Sequence, residues 1–308
     1  MHYFMSASTF GGIYPALLTP LDSAHRLQPE TARRLMQHLL STGAHGVYIA
    51  GSTGEGMRLA IETRKELVEA LVPALPEGKH LIVHVGAPNV QNAIRLANHA
   101  AEQGAHAISS LPPEADPKGV RVYYETLAKN SVLPLILYYF PKVTPTAFSA
   151  ETLLDVCDLP NVLGVKFTDF NLYLMQRLVS RGKLVFNGYD EVLAAGLLMG
   201  AQGGIGSTYN VMPEVYMEIY RAAQRGDWEC ARRWQSRAND VLTVLLRYPF
   251  FPALRALVQQ KGFDCGPMMS GEDFRSPAQR QQMFEELNNA MPGDVADLIG
   301  WRGATVSQ

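Results

Sequence analysis

An α/β fold, a (β/α)8 TIM barrel with a C-terminal helical appendage, is what this 308-residue sequence predicts. Two observations carry the prediction. Short apolar runs alternate with longer amphipathic ones from the first residues to about residue 222, which is the signature of repeated βα units. The alternation yields eight candidate strands without a break, and parallel strands joined by crossover helices close at that number around a filled interior. An open doubly wound sheet is the competing arrangement. The lack of G-x-G-x-x-G after the first strand counts against it.

The strands fall at residues 13–18, 46–50, 80–85, 105–109, 134–139, 162–167, 183–186 and 203–206. Each is too short and too continuously apolar for a half-exposed hairpin strand. The helices between them fall at 29–40, 62–71, 90–103, 119–129, 150–157, 172–179, 191–199 and 212–223. In the second of these Thr63, Arg64, Lys65 and Glu66 are expected to face outward. Asn89 and Ser149 stand where a capping side chain would start the third and fifth. From Asp227 the pattern is wholly helical, over 228–246, 249–261 and 276–289, with short connections that lack linker composition. The expected division is a barrel over 1–225, an appendage packed on it over 226–300, and a frayed tail over 301–308.

Composition narrows the partners. A 47% hydrophobic content supplies a sizeable core, and a formal net charge of -2 without blocks of like charge argues against nucleic acid and anionic membranes. No apolar run reaches the roughly 18 residues of a membrane span, and the first dozen residues lack a basic region followed by an apolar one. A small molecule is the expected partner and the cytoplasm the expected location. Cys157, Cys230 and Cys265 are widely spaced without C-x-x-C, which fits reduced core thiols.

In parallel barrels the chemistry sits at the C-terminal ends of the strands. The second strand leads into Gly51-Ser52-Thr53-Gly54-Glu55-Gly56, a turn whose glycines let backbone N–H groups point inward and whose hydroxyls can bond a carboxylate. No Gly-Lys-Ser/Thr follows, so it is not a nucleotide loop. Its simpler reading is a turn into a helix capped by Ser52 or Thr53. The fifth strand ends in Tyr138-Tyr139-Phe140-Pro141, where alternation sends one of the two phenols into the barrel mouth.

The sixth strand ends in Lys166, a lone amine on an apolar segment. At a strand end a lysine commonly snorkels to water, but adjacent strands put this one beside Tyr138. Burial strips hydration from an ammonium and favours the free amine, which attacks a ketone to give a Schiff base; a neighbouring phenol can shuttle the protons. Strands seven and eight lead to Gly188, Asp190 and Glu191, then to Gly206, Ser207 and Thr208. Loops there often bind phosphate, yet two acidic side chains suit the hydroxyls of a polyol better. A carboxylate is therefore expected near strands two and eight, and a hydroxylated chain near strand seven. His84 lacks the paired spacing of a metal site, so no metal is expected.

These residues together resemble the N-acetylneuraminate lyase and dihydrodipicolinate synthase superfamily of pyruvate-type Schiff-base aldolases, over nearly the whole chain. Gly51-Ser52-Thr53-Gly54-Glu55 is similar to its pyruvate-carboxylate loop, Tyr138 with Pro141 to its catalytic tyrosine motif, and Gly164-Val165-Lys166 to its Schiff-base lysine. The lyase branch looks closer, through Asn187-Gly188-Tyr189-Asp190-Glu191, residues 203–210 and Thr168; Val143 stands where the synthase carries a carboxylate-binding arginine. The resemblance implies that Lys166 forms the imine and Tyr138 moves protons, with no cofactor beyond the covalent imine on Lys166. Ser52 and Thr53 would hold the carboxylate; Thr168, Gly188, Asp190, Glu191, Gly206 and Ser207 would receive the sugar chain, with Tyr48 and Phe251 lining the pocket. It also implies a homotetramer.

One segment departs from the family pattern. Where relatives commonly carry a tyrosine that reaches across a subunit interface, residues 111–117 hold no aromatic. Glu114 or Asp116 is expected to accept the Tyr138 hydrogen bond in its place, against the simpler reading of a solvated acidic loop. The function expected is cleavage of a 2-keto-3-deoxy sugar acid, N-acetylneuraminate foremost, to pyruvate and an aldehyde, N-acetylmannosamine. The alternatives are an aldolase for 2-keto-3-deoxygluconate or a related acid, dihydrodipicolinate synthase, and a non-catalytic keto-acid sensor.

Overall fold

The structure, a computed structural model, describes residues 10–113, 116–144 and 148–303. Eight parallel strands, β1 (Gly12–Pro15), β2 (Gly46–Ile49), β3 (His80–His84), β4 (Ala107–Ser110), β5 (Leu135–Tyr139), β6 (Val162–Phe167), β7 (Leu184–Asn187) and β8 (Gly203–Gly206), form the expected barrel. Around them lie α1 (Pro29–Ser41), α2 (Ile61–Leu71), α3 (Val90–Gln103), α4 (Pro117–Lys129), α5 (Ala150–Cys157), α6 (Leu172–Ser180), α7 (Leu193–Leu198) and α8 (Pro213–Gln224). Neighbouring strands pair in sequence from β2 to β8, and β8 pairs with β1. Between β1 and β2 the barrel closes through one parallel bridge, Ala16 to Tyr48, where the Leu17 N–H donates to the Tyr48 carbonyl at 2.8 Å.

Period-2 alternation sorts the side chains into two layers. Tyr14, Tyr48, Ile82, Ile136, Leu184, Phe186 and Ile205 fill the barrel interior, while the other face of each strand packs against the helices. Burying one such side chain stabilises by about 1.5–3 kcal/mol. The first strand ends earlier than expected because the chain leaves the ladder after Ala16: the Leu18 N–H turns to the Asn210 side chain at 3.2 Å. The seventh helix also starts late, since Asp190–Val192 forms a separate tight turn. Asn89 and Ser149 cap α3 and α5, accepting from Gln91 N–H at 2.8 Å and Thr152 N–H at 3.1 Å.

Arg64 contradicts the expectation that it faces outward. Only 4% exposed, it donates to the carbonyls of Gly86 at 2.9 Å and His84 at 2.6 Å. The guanidinium satisfies two acceptors at the end of β3, which explains how a charged residue of α2 turns inward. Burial lowers its pKa to about 10.

The C-terminal helices are α9 (Trp228–Leu245), α10 (Phe250–Gln260), α11 (Pro277–Ala290) and α12 (Gly293–Ile299). The last was not anticipated; with Val295 and Ile299 as its buried residues it is too short to display a period. Gln235 of α9 splices this layer to the barrel, donating to the Asp190 carbonyl and accepting from the Ala194 N–H, both at 2.9 Å. Among the described residues no single helix is long and apolar enough to cross a membrane. Cys157, Cys230 and Cys265 are free thiols, and burial pushes those of Cys157 and Cys265 up to about 12.

The opposite end of the barrel carries a histidine cluster. His45 accepts from the Ile13 N–H at 3.1 Å and His106 from the Leu81 N–H at 3.3 Å, while His80 lies 3.2 Å from the Tyr14 hydroxyl and 5.0 Å, edge-on, from the His106 ring. Burial and the neighbouring imidazoles lower the pKa of His80 to about 4.

Candidate active site

The register of β5 and β6 places Tyr138 opposite Lys166, with Phe186 of β7 next across. Alternation turns Tyr138 inward and Tyr139 outward, where the latter packs on Phe148 and Phe167 with centroids 5.2 Å away. Lys166 does not snorkel: it is 4% exposed. Its Nζ lies 4.1 Å from the ring centroid of Tyr138 and 4.5 Å from that of Tyr48. Two π faces thus stand where water would solvate a surface amine, each contributing about 0.5–2 kcal/mol of attraction to a cation.

Tyr48 is fully buried and its hydroxyl donates to Ser109 Oγ at 3.1 Å. Burial, reinforced by Tyr138 beside it, pushes its phenol well above the ordinary value, so Tyr48 is a protonated wall. His84 closes the floor, its ring edge-on to Tyr138 at 6.1 Å and its Nε2 accepting from the Leu111 N–H at 3.0 Å. Burial first, then the positive charges of Arg64 and Lys166, drives its pKa well below the ordinary histidine value, leaving it neutral.

Ser52 Oγ lies 3.4 Å from the Tyr138 phenol oxygen, within reach of a hydrogen bond. Asp116, expected as the partner of Tyr138, instead caps α4 by accepting from the Gly119 N–H at 2.7 Å, because the exposed start of that helix offers it an unpaired donor. Glu114, the other expected partner, lies outside the described residues.

The loop after β2 does not run into a helix capped by Ser52 or Thr53; α2 begins at Ile61 without a side-chain cap. The backbone instead curls back on itself, with Ala50 at φ 56° and Glu55 at φ 52°, conformations costly for side-chain-bearing residues. The Glu55 carboxylate holds the curl from behind, accepting from the N–H groups of Met269 at 2.8 Å and Ser270 at 2.9 Å and facing Arg255 at 3.7 Å. In front, Thr53 Oγ1 meets Ser207 Oγ at 2.7 Å, so the loops after β2 and β8 share one hydroxyl pair.

On the other side of Lys166, Thr168 is buried and its Oγ1 has no hydrogen-bond partner among the described residues. Gly188 must be glycine here, since a Cβ would stand 2.1 Å from that oxygen. Asp190 is buried with Oδ2 accepting from the Thr208 amide at 2.8 Å and hydroxyl at 2.6 Å; a Cβ on Gly206 would reach within 2.1 Å of Oδ1. Burial raises the Asp190 pKa to about 6 against the lowering effect of Thr208. Glu191, half-buried, has its carbonyl held by Asn239 of α9 at 3.1 Å. Phe251 sits on α10, half-buried against the core with its ring 5.5 Å from Phe250.

Sequence reasoning missed several residues around this site. Arg64, Gln235 and Arg255 act through backbone carbonyls of distant segments, a relation without a local pattern. Phe140 and Tyr189 adjoin residues already singled out, so their neighbours were the available signal. The arrangement as a whole offers a buried amine, an adjacent phenol, an anion-sized hydroxyl turn and a polar wall, which suits imine chemistry on a keto acid.

Residues 9–295 match the dihydrodipicolinate synthetase family. An N-acetylneuraminate lyase of Rhizobium meliloti (strain 1021) is 35% identical over 300 residues, covering 96% of this chain and 97% of the relative. One of Clostridium perfringens (strain 13 / Type A) is 32% identical over 261 residues, 83% of this chain and 91% of its own. Among solved structures, CdNal from Clostridium difficile in complex with mannosamine aligns at TM-score 0.85 and 26% identity, over 91% of this chain and 99% of that one. N-acetylneuraminate lyase from Mycoplasma synoviae, crystal form II, aligns at TM-score 0.83 and 28% identity, over 94% and 98%.

Proposed function

We propose, from the premise that this chain belongs to the dihydrodipicolinate synthetase family, that it cleaves N-acetylneuraminate or a closely related 2-keto-3-deoxy sugar acid to pyruvate and an aldehyde. It is a carbon–carbon lyase of the oxo-acid-lyase kind and, more broadly, a pyruvate-dependent aldolase. What supports the finer reading is the position of Lys166, whose amine is buried between the faces of Tyr48 and Tyr138.

In the proposed reaction the Lys166 amine adds to the C2 ketone. Tyr138 protonates the carbinolamine oxygen, which leaves as water and yields the iminium. Loss of the C4 hydroxyl proton, through Tyr138, sends the C3–C4 bonding pair into the iminium; the aldehyde departs and an enamine remains. Protonation at C3 and hydrolysis then release pyruvate and the free amine. The iminium is the electron sink, so the sequence calls on no metal or organic cofactor.

Ser52 and Thr53 are assigned to the substrate carboxylate, Tyr48 and Phe251 to the pocket wall. Thr168, Gly188, Asp190, Glu191, Gly206 and Ser207 are assigned to the hydroxylated chain. A homotetramer is the proposed assembly, checked by light scattering of the purified chain. The decisive experiment is borohydride reduction in the presence of pyruvate, with a mass increment expected on the Lys166 peptide. Failure to trap an adduct at any pH where the protein is folded would overturn the imine. A panel of sugar acids assayed for pyruvate release then fixes the aldehyde, and release from 2-keto-3-deoxygluconate but not from N-acetylneuraminate would move the assignment to the former.

A further inference from the structure

A line of four aromatic rings runs from the reacting pair to the rim of the barrel. Tyr138 stacks with Phe140 at 6.0 Å between centroids and 18° between planes. Phe140 then meets Tyr189 edge-on at 6.1 Å and 89°, and Tyr189 lies against Phe170 at 4.3 Å and 8°. Phe140, Phe170 and Tyr189 sit on the loops after β5, β6 and β7. The line therefore borders the mouth in the order in which those strands stand.

Phe170 is 58% exposed, although a ring of this size is normally covered. A side chain placed only by chance at the surface would not need a parallel partner, whereas this ring is held face to face with Tyr189. Its backbone is fixed as well. Thr168, two residues earlier, is buried and tied by its amide to the Tyr139 carbonyl at 2.8 Å, and Asn171, the next residue, caps α6 by accepting from the Leu174 N–H at 3.0 Å. The buried hydroxyl of Thr168, without a partner among the described residues, lies on the same loop. A polar acceptor and an apolar face are thus presented within three residues of each other.

A chain that carries hydroxyls along one edge has C–H bonds on its faces. Resting on the aldolase reading above, we propose that the Tyr189–Phe170 pair is an outer subsite for the far end of the aldehyde half, and that it takes a C–H-bearing or aryl face of the substrate. Phe170 is then a specificity-determining residue: it selects among acids by what lies beyond the carbon attacked, and it takes no part in forming the imine. Stacking of this size is worth roughly 3- to 10-fold in kcat/KM.

The test compares Phe170→Ala and Phe170→Leu with the wild type on three acids: N-acetylneuraminate, an aryl-bearing 4-hydroxy-2-oxo acid, and the short 4-hydroxy-2-oxopentanoate. The ratio of kcat/KM for a long acid over that for the short one is expected to fall roughly 3- to 10-fold in Phe170→Ala, mainly through KM, and less in Phe170→Leu. A larger loss on the aryl acid identifies an aryl occupant, and a larger loss on the sugar acid identifies the C–H face of a sugar. An unchanged ratio overturns the subsite while wild-type trapping of pyruvate on Lys166 leaves the aldolase reading standing. A wild type that neither traps pyruvate nor cleaves any of the three overturns both.

Discussion

The hydroxyls of Thr53 and Ser207 lie 2.7 Å apart, joining loops that follow the second and eighth strands of the barrel. Each can rotate its proton outward without moving its oxygen, Thr53 toward the proposed carboxylate and Ser207 toward the proposed hydroxylated chain. Replacing Thr53 by alanine is expected to raise KM for the keto acid by roughly 10- to 100-fold, the worth of a hydrogen bond to a charged group, with a smaller change in kcat. Steady-state kinetics of Thr53→Ala checks this, and an unmoved KM would remove Thr53 from the proposed carboxylate site.

Lys166→Met should fold, because the replacement puts an apolar chain of similar length between Tyr48 and Tyr138. It should yield no borohydride-trapped adduct and no cleavage. Tyr138→Phe keeps the ring under the amine and deletes the phenol. It is expected to lose about 10²- to 10⁴-fold in kcat, the range of a general acid–base group, while adduct still accumulates on long incubation.

Asp190 carries the pH prediction for activity. Its carboxyl is raised from the usual carboxylate range to about 6, mainly by burial. The folded-state value exceeds the unfolded one, so its stabilising contribution is complete below the usual carboxylate pKa of about 4 and is lost as pH rises through about 6. If the ionised form accepts a substrate hydroxyl, kcat/KM should fall on the acid side of that value, and Asp190→Asn should remove this limb of the profile. A limb that persists unchanged in the variant belongs to another group.

The histidines at the base of the barrel act in the opposite sense. His80 is lowered to about 4 by burial, then by His106, His45 and Lys79, and the Tyr14 hydroxyl faces its ring. Its stabilising contribution is present above the unfolded imidazole value of about 6.5 and is lost as pH falls toward about 4. Tm is expected to drop by several degrees across that window, and less in His80→Phe, as followed by circular dichroism melts. A variant with the wild-type slope would assign the loss elsewhere.

Glu55 and Arg255 form a buried pair behind the loop after β2, and Arg255 also donates to the Thr19 carbonyl at 3.1 Å. Removing one member of such a pair costs about 3–5 kcal/mol. Arg255→Met should therefore lower the denaturation midpoint and, by loosening the curl at Glu55, raise KM for the keto acid. A destabilised variant with unaltered KM would confine the pair to stability.

How much of the molecule was legible beforehand follows from the range over which each feature is encoded. Continuous apolar runs such as residues 134–139 and 162–167, with amphipathic helices between them, report local burial, so the sequence alone determined the number of strands, the barrel and the candidate ends Lys166 and Gly51–Gly56. Alternation required that one phenol of Tyr138 and Tyr139 face inward, and the family resemblance named Tyr138. Contacts between different strands and loops depend on how the barrel closes, and no local period encodes them. Tertiary structure alone therefore decided that Thr53 meets Ser207 and that Arg64 turns into the protein to satisfy the end of β3. It likewise decided that Phe170 lies on Tyr189, whereas the Asp116 cap on the Gly119 N–H is a local contact within the start of its own helix. The physical reason is common to these three: a side chain's partner is whichever group the closed barrel brings within reach, and that group can come from another strand or loop.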